Sequence, residues 1–165
     1  MTNPASGRCF EDFVVGEVLR HAIGRTVSQT DNTWFTLLTN NSNPIHFDLH
    51  YAAQTEFGRP LMNSCFTLAL VTGLSVNDIS RHAVNLGWDE VRLPHPVFDG
   101  DTIYAQSEIL SARASRSRPH QGLVELRTVG FNQNGVIVIS FRRTILVYRR
   151  GHVPTMPEPA VADGG

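Results

Sequence analysis

The sequence contains no lysine; all 14 of its basic residues are arginines. This absence excludes a Schiff-base lysine and the lysine of a Walker-type phosphate-binding loop. Cysteine is scarce as well. Cys9 and Cys65 lie far apart and lack the spacing of a zinc site, which predicts two reduced thiols and no bound metal. Because Cys65 stands in an apolar stretch, we interpret it as a core residue rather than a nucleophile.

Long apolar runs and an excess of one charge are also lacking. No run approaches the roughly 20 residues of a membrane-spanning helix, and no apolar run follows a basic start, so we expect neither a membrane span nor a signal peptide. A net charge of -1 gives no electrostatic footprint for nucleic acid. The 165 residues match one domain with a sizeable core, and we expect a cytoplasmic protein.

Two segments of the first half carry helical patterns. Residues 18–27 predict a strand that leads into a helix. Thr26 or Ser28 is expected to cap this helix, and the helix is expected to end at a cluster of asparagines. Residues 64–74 are almost wholly apolar with small residues interspersed, and a helix that is apolar on all sides is a buried helix. We therefore predict that residues 64–74 form a central buried helix.

The last third of the sequence has the period-two alternation of β-strands. We predict antiparallel strands over residues 102–112, 123–132 and 136–148. Asn134-Gly135 stands between the last two and predicts a two-residue hairpin turn. A buried helix followed by long antiparallel strands predicts a domain of the α+β class.

Residues 40–48 concentrate the polar chemistry of the chain. Three asparagines, a proline, a histidine and an aspartate occur within nine residues. Asn and Asp favour turns, and Pro44 fixes its own backbone and extends Asn43. A rigid loop that presents one imidazole is suited to proton transfer, although a surface turn with an incidental histidine has the same composition.

The motif Asn43-Pro44-Ile45-His46, followed by Tyr51-Ala52, resembles the signature of the MaoC-like hydratases of the hot-dog fold. The resemblance covers about residues 8–150, and the Pro-, Ala- and Gly-rich residues 151–165 predict a disordered tail. It implies a single hot-dog fold, in which a curved antiparallel sheet wraps around a buried central helix. It also implies a homodimer, an acyl-CoA substrate and no separate cofactor.

Further segments are similar to the branch that hydrates short, branched, carboxylated enoyl-CoA esters such as mesaconyl-CoA or itaconyl-CoA. These segments are residues 10–13, 77–80, 85–87 and 96–102. The sequence departs from the family pattern at Asn41, where the family has an aspartate, and at Asn40, where it has a glycine.

The resemblance implies catalytic roles at His46, Ser64 and Asn41, and the spacing of two residues from His46 adds Asp48 as a fourth candidate. We expect His46 to transfer the proton of the attacking water, because a neutral imidazole acts as a base near neutral pH. The backbone N–H of Ser64, at the start of the central helix, is expected to stabilise the thioester oxygen. Asn41 is expected to orient the water, since an amide accepts a hydrogen bond but is no base. Asp48 is an alternative partner that orients or charges His46.

Four further residues are candidates for binding the substrate. Asn63 precedes Ser64 in the pair that corresponds to His-Gly in the family, and Asn43 braces the loop. Arg59 and Arg92 lie beside motif segments and are candidates for the anionic groups of the acyl-CoA, although most arginines are simply solvated. Four histidines lack a pattern of partner residues, and we interpret them as surface or structural residues: His50, His82, His95 and His120.

Two other classes of protein share this fold. A hot-dog thioesterase usually needs a carboxylate on or near the central helix, and residues 64–74 contain neither Asp nor Glu. A non-catalytic acyl-CoA-binding subunit remains open because Asn41 replaces the aspartate, and a fold alone does not imply activity.

Overall fold

The computed structural model describes residues 7–155, so most of the predicted disordered tail lies outside the described residues. Six strands form one antiparallel sheet in the order β1–β4–β5–β6–β3, with β2 pairing beside β1 on β4. The strands are β1 Val18–Arg20, β2 Arg25–Thr26, β3 Ala83–Arg92, β4 Thr102–Ala114, β5 Gln121–Phe131 and β6 Ile137–Tyr148. The three predicted strands are therefore present as β4, β5 and β6, with small shifts at their ends.

Within residues 7–155, three α-helices and three single turns join the strands. The helices are α1 Gln29–Leu38, α2 Leu49–Ala52 and α3 Ser64–Leu74. The single turns are 3-10 turns at Phe10–Asp12 and Pro44–His46 and a π turn at Val76–Ser80. Among the described residues, no helix has both the length and the apolar character needed to cross a membrane.

Helix α1 begins where the sequence predicts, but its buried side chains are polar and several of its large apolar side chains are exposed. Ser28 is the cap, because its hydroxyl accepts from the Asp31 N–H while the Asp31 carboxylate accepts from the Ser28 N–H. Asn32 and Thr36 are the buried residues of α1, whereas Trp34 and two neighbouring leucines are exposed. Hydrogen bonds rather than apolar contacts must therefore hold much of this helix in place.

Helix α3 packs on the sheet through one face. Phe66 and Val71 join a core cluster with side chains of β4 and β6. The close approach requires Gly130 of β5, since a Cβ there would lie 2.6 Å from a methyl group of Val71.

The second face of α3 corrects two predictions. The helix has the predicted bounds, but Cys65, Ala69 and Gly73 are exposed, so α3 is buried on one side only in a single chain. Cys65 is accordingly not a core residue, although both cysteines are free thiols. A uniformly apolar helix carries no periodicity from which its buried face can be read.

The hairpin between β5 and β6 also differs from the prediction. Gln133 and Asn134 occupy the centre of the turn, and the Gly135 N–H donates to the Asn132 carbonyl at 2.9 Å. Gly135 follows with φ of +75°, a left-handed conformation that glycine adopts without strain. The loop thus has three residues, and Gly135 terminates the turn instead of forming its centre.

A buried polar chain crosses the sheet beneath the π turn. The Thr128 and Ser107 hydroxyls lie 2.9 Å apart, Ser107 Oγ is 3.0 Å from His21 Nε2, and His21 Nδ1 is 2.7 Å from Asp78. This is the order of groups in a serine–histidine–aspartate triad, but Ser107 is fully buried and no substrate reaches it. Burial lowers the pKa of His21, and the Arg143 charge adds to that effect against the opposing Asp78.

Candidate active site

The 3-10 turn at Pro44–His46 holds the predicted base. Asn43 caps this turn by accepting from the Ile45 N–H at 3.2 Å, so its side chain braces the loop as predicted. His46 is 8% exposed, and its Nδ1 lies 2.7 Å from the Leu61 carbonyl oxygen. A carbonyl only accepts hydrogen bonds, so Nδ1 carries the proton. In the neutral ring, Nε2 then has the free lone pair that a general base needs.

The buried amide of Asn32 connects the His46 loop to helix α3. Its Nδ2 donates to the His46 carbonyl at 2.8 Å and to the Leu61 carbonyl at 3.0 Å. Its Oδ1 accepts from the Asn63 N–H at 2.9 Å. Gln29 adds a second donor to the His46 carbonyl at 2.8 Å. One side chain of α1, only 1% exposed, therefore fixes the base relative to the start of α3.

Asn63 is the cap of α3 and leaves one helix donor free. Its Oδ1 accepts from the N–H groups of Cys65 and Phe66, and its carbonyl accepts from the Thr67 N–H. Within residues 7–155, no group accepts from the N–H of Ser64, the first residue of the helix. A free N–H at the positive end of a helix is suited to bind an oxygen that gains negative charge.

A cavity of about 340 Å³ opens beside this helix terminus. Ser64 and Thr67 line it from α3, and His95 lines it from the segment after β3. Most of its other lining residues are apolar: Phe57, Leu61, Met62, Leu93, Pro96 and Val97. An apolar cavity with a few polar groups is typical of a site for a small molecule.

Asn41 and Asp48 have bonding partners within their own loops. The half-buried Asn41 accepts from the Asn43 N–H through Oδ1 at 3.0 Å, which leaves its second lone pair for a water. The Asp48 carboxylate caps α2 by accepting from the Tyr51 N–H at 2.9 Å. The Leu61 carbonyl, rather than Asp48, is thus the partner that holds the His46 ring.

The two arginine candidates lie in different places. The Arg59 guanidinium stacks over the Phe98 ring at 3.8 Å, and that ring in turn contacts Phe57, which lines the cavity beside α3. Two side chains, Phe98 and Phe57, therefore connect Arg59 to the cavity. Arg92 lines a separate, open cavity with Glu90, Glu108, Arg127 and Arg142, and the structure does not bring it to the site of His46.

Sequence reasoning missed Asn32, and it interpreted His95 as a surface or structural histidine; the structure has His95 exposed, and this side chain also lines the cavity. Asn32 carries no local signal, because one polar residue within QTDNTWFTLL is unremarkable in a helix. His95 did have a signal, since it stands between Pro94 and Pro96. Two prolines fix the backbone around an imidazole, and such rigidity is a reason to consider the ring for a site.

Comparisons with known proteins agree on the fold. A MaoC domain dehydratase from Chloroflexus aurantiacus superposes with a TM-score of 0.84 at 29% identity, over 96% of this chain and 45% of that chain. A conserved hypothetical protein from Mycobacterium tuberculosis with a double hot-dog fold superposes with a TM-score of 0.80 at 22% identity, over 94% of this chain and 53% of that chain. The antiparallel sheet packed on α3 thus defines a MaoC-like hot-dog protein, as predicted.

The sequence comparisons define the family. The mesaconyl-CoA hydratase of Cereibacter sphaeroides is 34% identical over 159 residues, which cover 96% of this chain and 46% of that protein. A family model described as mesaconyl-CoA hydratase matches residues 2–165. The chain belongs to the mesaconyl-CoA hydratase family, and it spans about half the length of the curated relatives it matches.

Proposed function

We propose that this chain is an enoyl-CoA hydratase-type lyase that adds water reversibly across the 2,3 double bond of a short enoyl-CoA thioester. The observation that carries the proposal is the Asn32 network, which joins the His46 loop to the start of α3. Ser64, which carries the free helix N–H, lines an apolar cavity, and the same network holds the His46 loop to the start of that helix. Coenzyme A is part of the substrate, and the proposed reaction needs no other cofactor.

The residues divide the reaction into two tasks. His46 Nε2 takes a proton from the water that attacks C3 and returns it to C2, since the Leu61 carbonyl keeps the other ring nitrogen protonated. The Ser64 N–H stabilises the thioester oxygen as it becomes enolate-like. Hydrogen bonds aimed at that oxygen are strongest in the transition state, and they therefore raise turnover more than substrate affinity.

Asn41 is proposed to orient the attacking water through its remaining lone pair. The Asn41→Asp variant tests its position, because a carboxylate close to an imidazole favours the protonated ring. The acid limb of the rate profile should then move to higher pH. An unmoved limb would place Asn41 away from His46.

The acyl group is proposed to be branched and carboxylated. Support comes from the Cereibacter sphaeroides relative, a mesaconyl-CoA hydratase, and from the Chloroflexus aurantiacus relative, a beta-methylmalyl-CoA dehydratase that is 30% identical. Crotonyl-, mesaconyl- and itaconyl-CoA form the set of substrates to be compared, with hydration followed by loss of the enoyl-thioester absorbance.

The His46→Ala variant tests the base. We expect turnover to fall by about two to four orders of magnitude, while acyl-CoA binding changes much less. His120→Ala is the matched control, because His120 is exposed and stacks on His152 with a centroid distance of 4.0 Å. Near-normal turnover in folded His46→Ala protein would remove His46 from the mechanism. An inactive wild type that gains activity on Asn41→Asp substitution would identify a non-catalytic acyl-CoA-binding subunit instead.

A homodimer is proposed to complete the fold. Strand β3 is an end strand of the sheet and exposes Val84, Leu86 and Trp88, and the exposed face of α3 lines a cavity of about 390 Å³ that includes Trp88. Both features are typical of a contact surface. Sedimentation should give a dimer for wild type and for the exposed control Trp34→Glu, but a monomer for Trp88→Glu.

A further inference from the structure

The cavity beside α3 contains one ionisable side chain among otherwise apolar or hydroxyl-bearing groups. His95 lines this cavity together with Ser64 and Thr67 of α3. Ser64 supplies the N–H proposed for the thioester oxygen, so an acyl chain that extends into this cavity passes along the same wall. Any charge on that chain must then find its partner here.

A carboxylated acyl group is costly to place in such a cavity without a partner. His95 and Leu93 are exposed to solvent, so a carboxylate bound beside them loses only part of its hydration, and apolar side chains such as Leu93 and Val97 cannot replace that part. Neither arginine candidate lines the cavity: Arg59 stacks on Phe98, and Arg92 lies in the open cavity on another part of the sheet. His95 is the remaining group with the right chemistry.

The His95 ring is held in one orientation. Its Nδ1 lies 2.8 Å from the Ile137 carbonyl oxygen, so Nδ1 is the protonated nitrogen and Nε2 is free to meet a ligand. Pro94 and Pro96 restrict the backbone on either side, and the Val97 carbonyl accepts from the Met62 N–H at 2.9 Å. A nearby carboxylate favours the protonated imidazole, which makes Nε2 a charge-assisted donor.

We infer that His95 is a specificity-determining residue that binds the free carboxylate of a dicarboxylic acyl-CoA substrate through Nε2. This inference rests on the proposed hydratase function and names the substrate class of that site. His95 binds and takes no part in proton transfer, so its contribution falls on the affinity for charged acyl groups alone.

Steady-state kinetics with two esters test the inference. Crotonyl-CoA has an uncharged acyl group, mesaconyl-CoA carries a free carboxylate, and the coenzyme A part is common to both. In His95→Gln, the side-chain amide keeps a donor for the Ile137 carbonyl but loses the charge. We expect kcat/KM for mesaconyl-CoA to fall roughly 10- to 100-fold, mainly through KM, as for the loss of a hydrogen bond to a charged group. For crotonyl-CoA it should change less than about twofold.

Two further variants separate charge from structure. His95→Arg should retain a preference for mesaconyl-CoA, because the positive charge remains. The control His120→Gln should leave both esters unaffected. An equal loss for both esters in His95→Gln would mean that the cavity holds the shared coenzyme A part, and no loss for either would mean that His95 does not contact the substrate.

The wild-type result distinguishes failure of the inference from failure of the proposed function. A wild-type protein that hydrates neither ester overturns the proposed function. One that hydrates crotonyl-CoA but not mesaconyl-CoA overturns the assignment of His95 as a carboxylate-binding residue and the proposed carboxylated acyl group, but not the hydratase reaction.

Discussion

Replacing Asn32 with leucine tests whether one buried amide aligns the candidate active site. Leucine has nearly the same size as asparagine but cannot make any of the three hydrogen bonds that join α1 to the His46 loop, to Leu61 and to Asn63. The carbonyls of His46 and Leu61 keep other donors, Gln29 and the His46 ring. The Asn63 N–H, by contrast, loses its partner in a buried position.

The magnitude follows from this difference. A buried donor without a partner, here the Asn63 N–H, costs about 1–3 kcal/mol. The lost bonds to the His46 and Leu61 carbonyls, which keep other donors, cost about 0.5–1.5 kcal/mol each. We therefore expect the free energy of unfolding to fall by roughly 2–6 kcal/mol. Turnover should fall as well, because the His46 loop and the start of α3 lose their shared anchor.

Urea denaturation and the hydratase assay measure the two effects on the same protein. Asn77→Leu is the matched control, since Asn77 is exposed on the π turn and its replacement should change stability by less than about 0.5 kcal/mol. A similarly small change for Asn32→Leu would refute the reasoning. Lost stability with unaltered turnover would restrict Asn32 to a structural role.

Two further predictions concern the core. Gly130→Ala should lower stability by about 1–3 kcal/mol in denaturant titrations, because a Cβ would approach Val71 to 2.6 Å and Ile139 to 2.8 Å; an unchanged midpoint would mean that α3 does not press on β5. Since burial lowers the pKa of His21 below its unfolded value of about 6.5, the unfolded chain binds more protons below that pH. This stabilising contribution is present above about pH 6.5 and is lost as the pH falls toward the lowered pKa. The free energy of unfolding of His21→Gln should not show this decrease at low pH. The same dependence of unfolding free energy on pH in wild type and His21→Gln would contradict the prediction.

The sequence was sufficient for the elements with strong local signals. Ser28 and Asp31 form a capping box, and Ser64–Leu74 is apolar throughout, so both helices could be predicted. Strand β3 could not, because two register shifts, at Asn85/Gly87 and at Asp89/Arg92, interrupt the alternation on which strand prediction depends.

The residues of the candidate site also differ in how far the sequence could locate them. His46 and Asn43 stand in a loop whose composition already indicates a rigid turn, and local reasoning located both. Asn32 and His95 depend on long-range contacts, with Leu61 and Asn63 for the first and with Ile137 for the second. Local patterns carry no information about partners that lie 29 to 42 residues away in the chain.

The hydrogen bonds that join the His46 loop to α1 and to the start of α3 all fall within one continuous stretch, from Gln29 to Asn63. Their sequence separations are 14, 15, 17, 29 and 31 residues. The stretch joins the rest of the chain through few backbone bonds, such as the one from Met62 to Val97. In evolutionary terms, the base and its supporting hydrogen bonds can be exchanged as one contiguous segment. Exchange of this contiguous stretch would replace His46 and its anchors while Ser64 and β3 to β6 stay in place, which is one physical route by which a single fold acquires many functions.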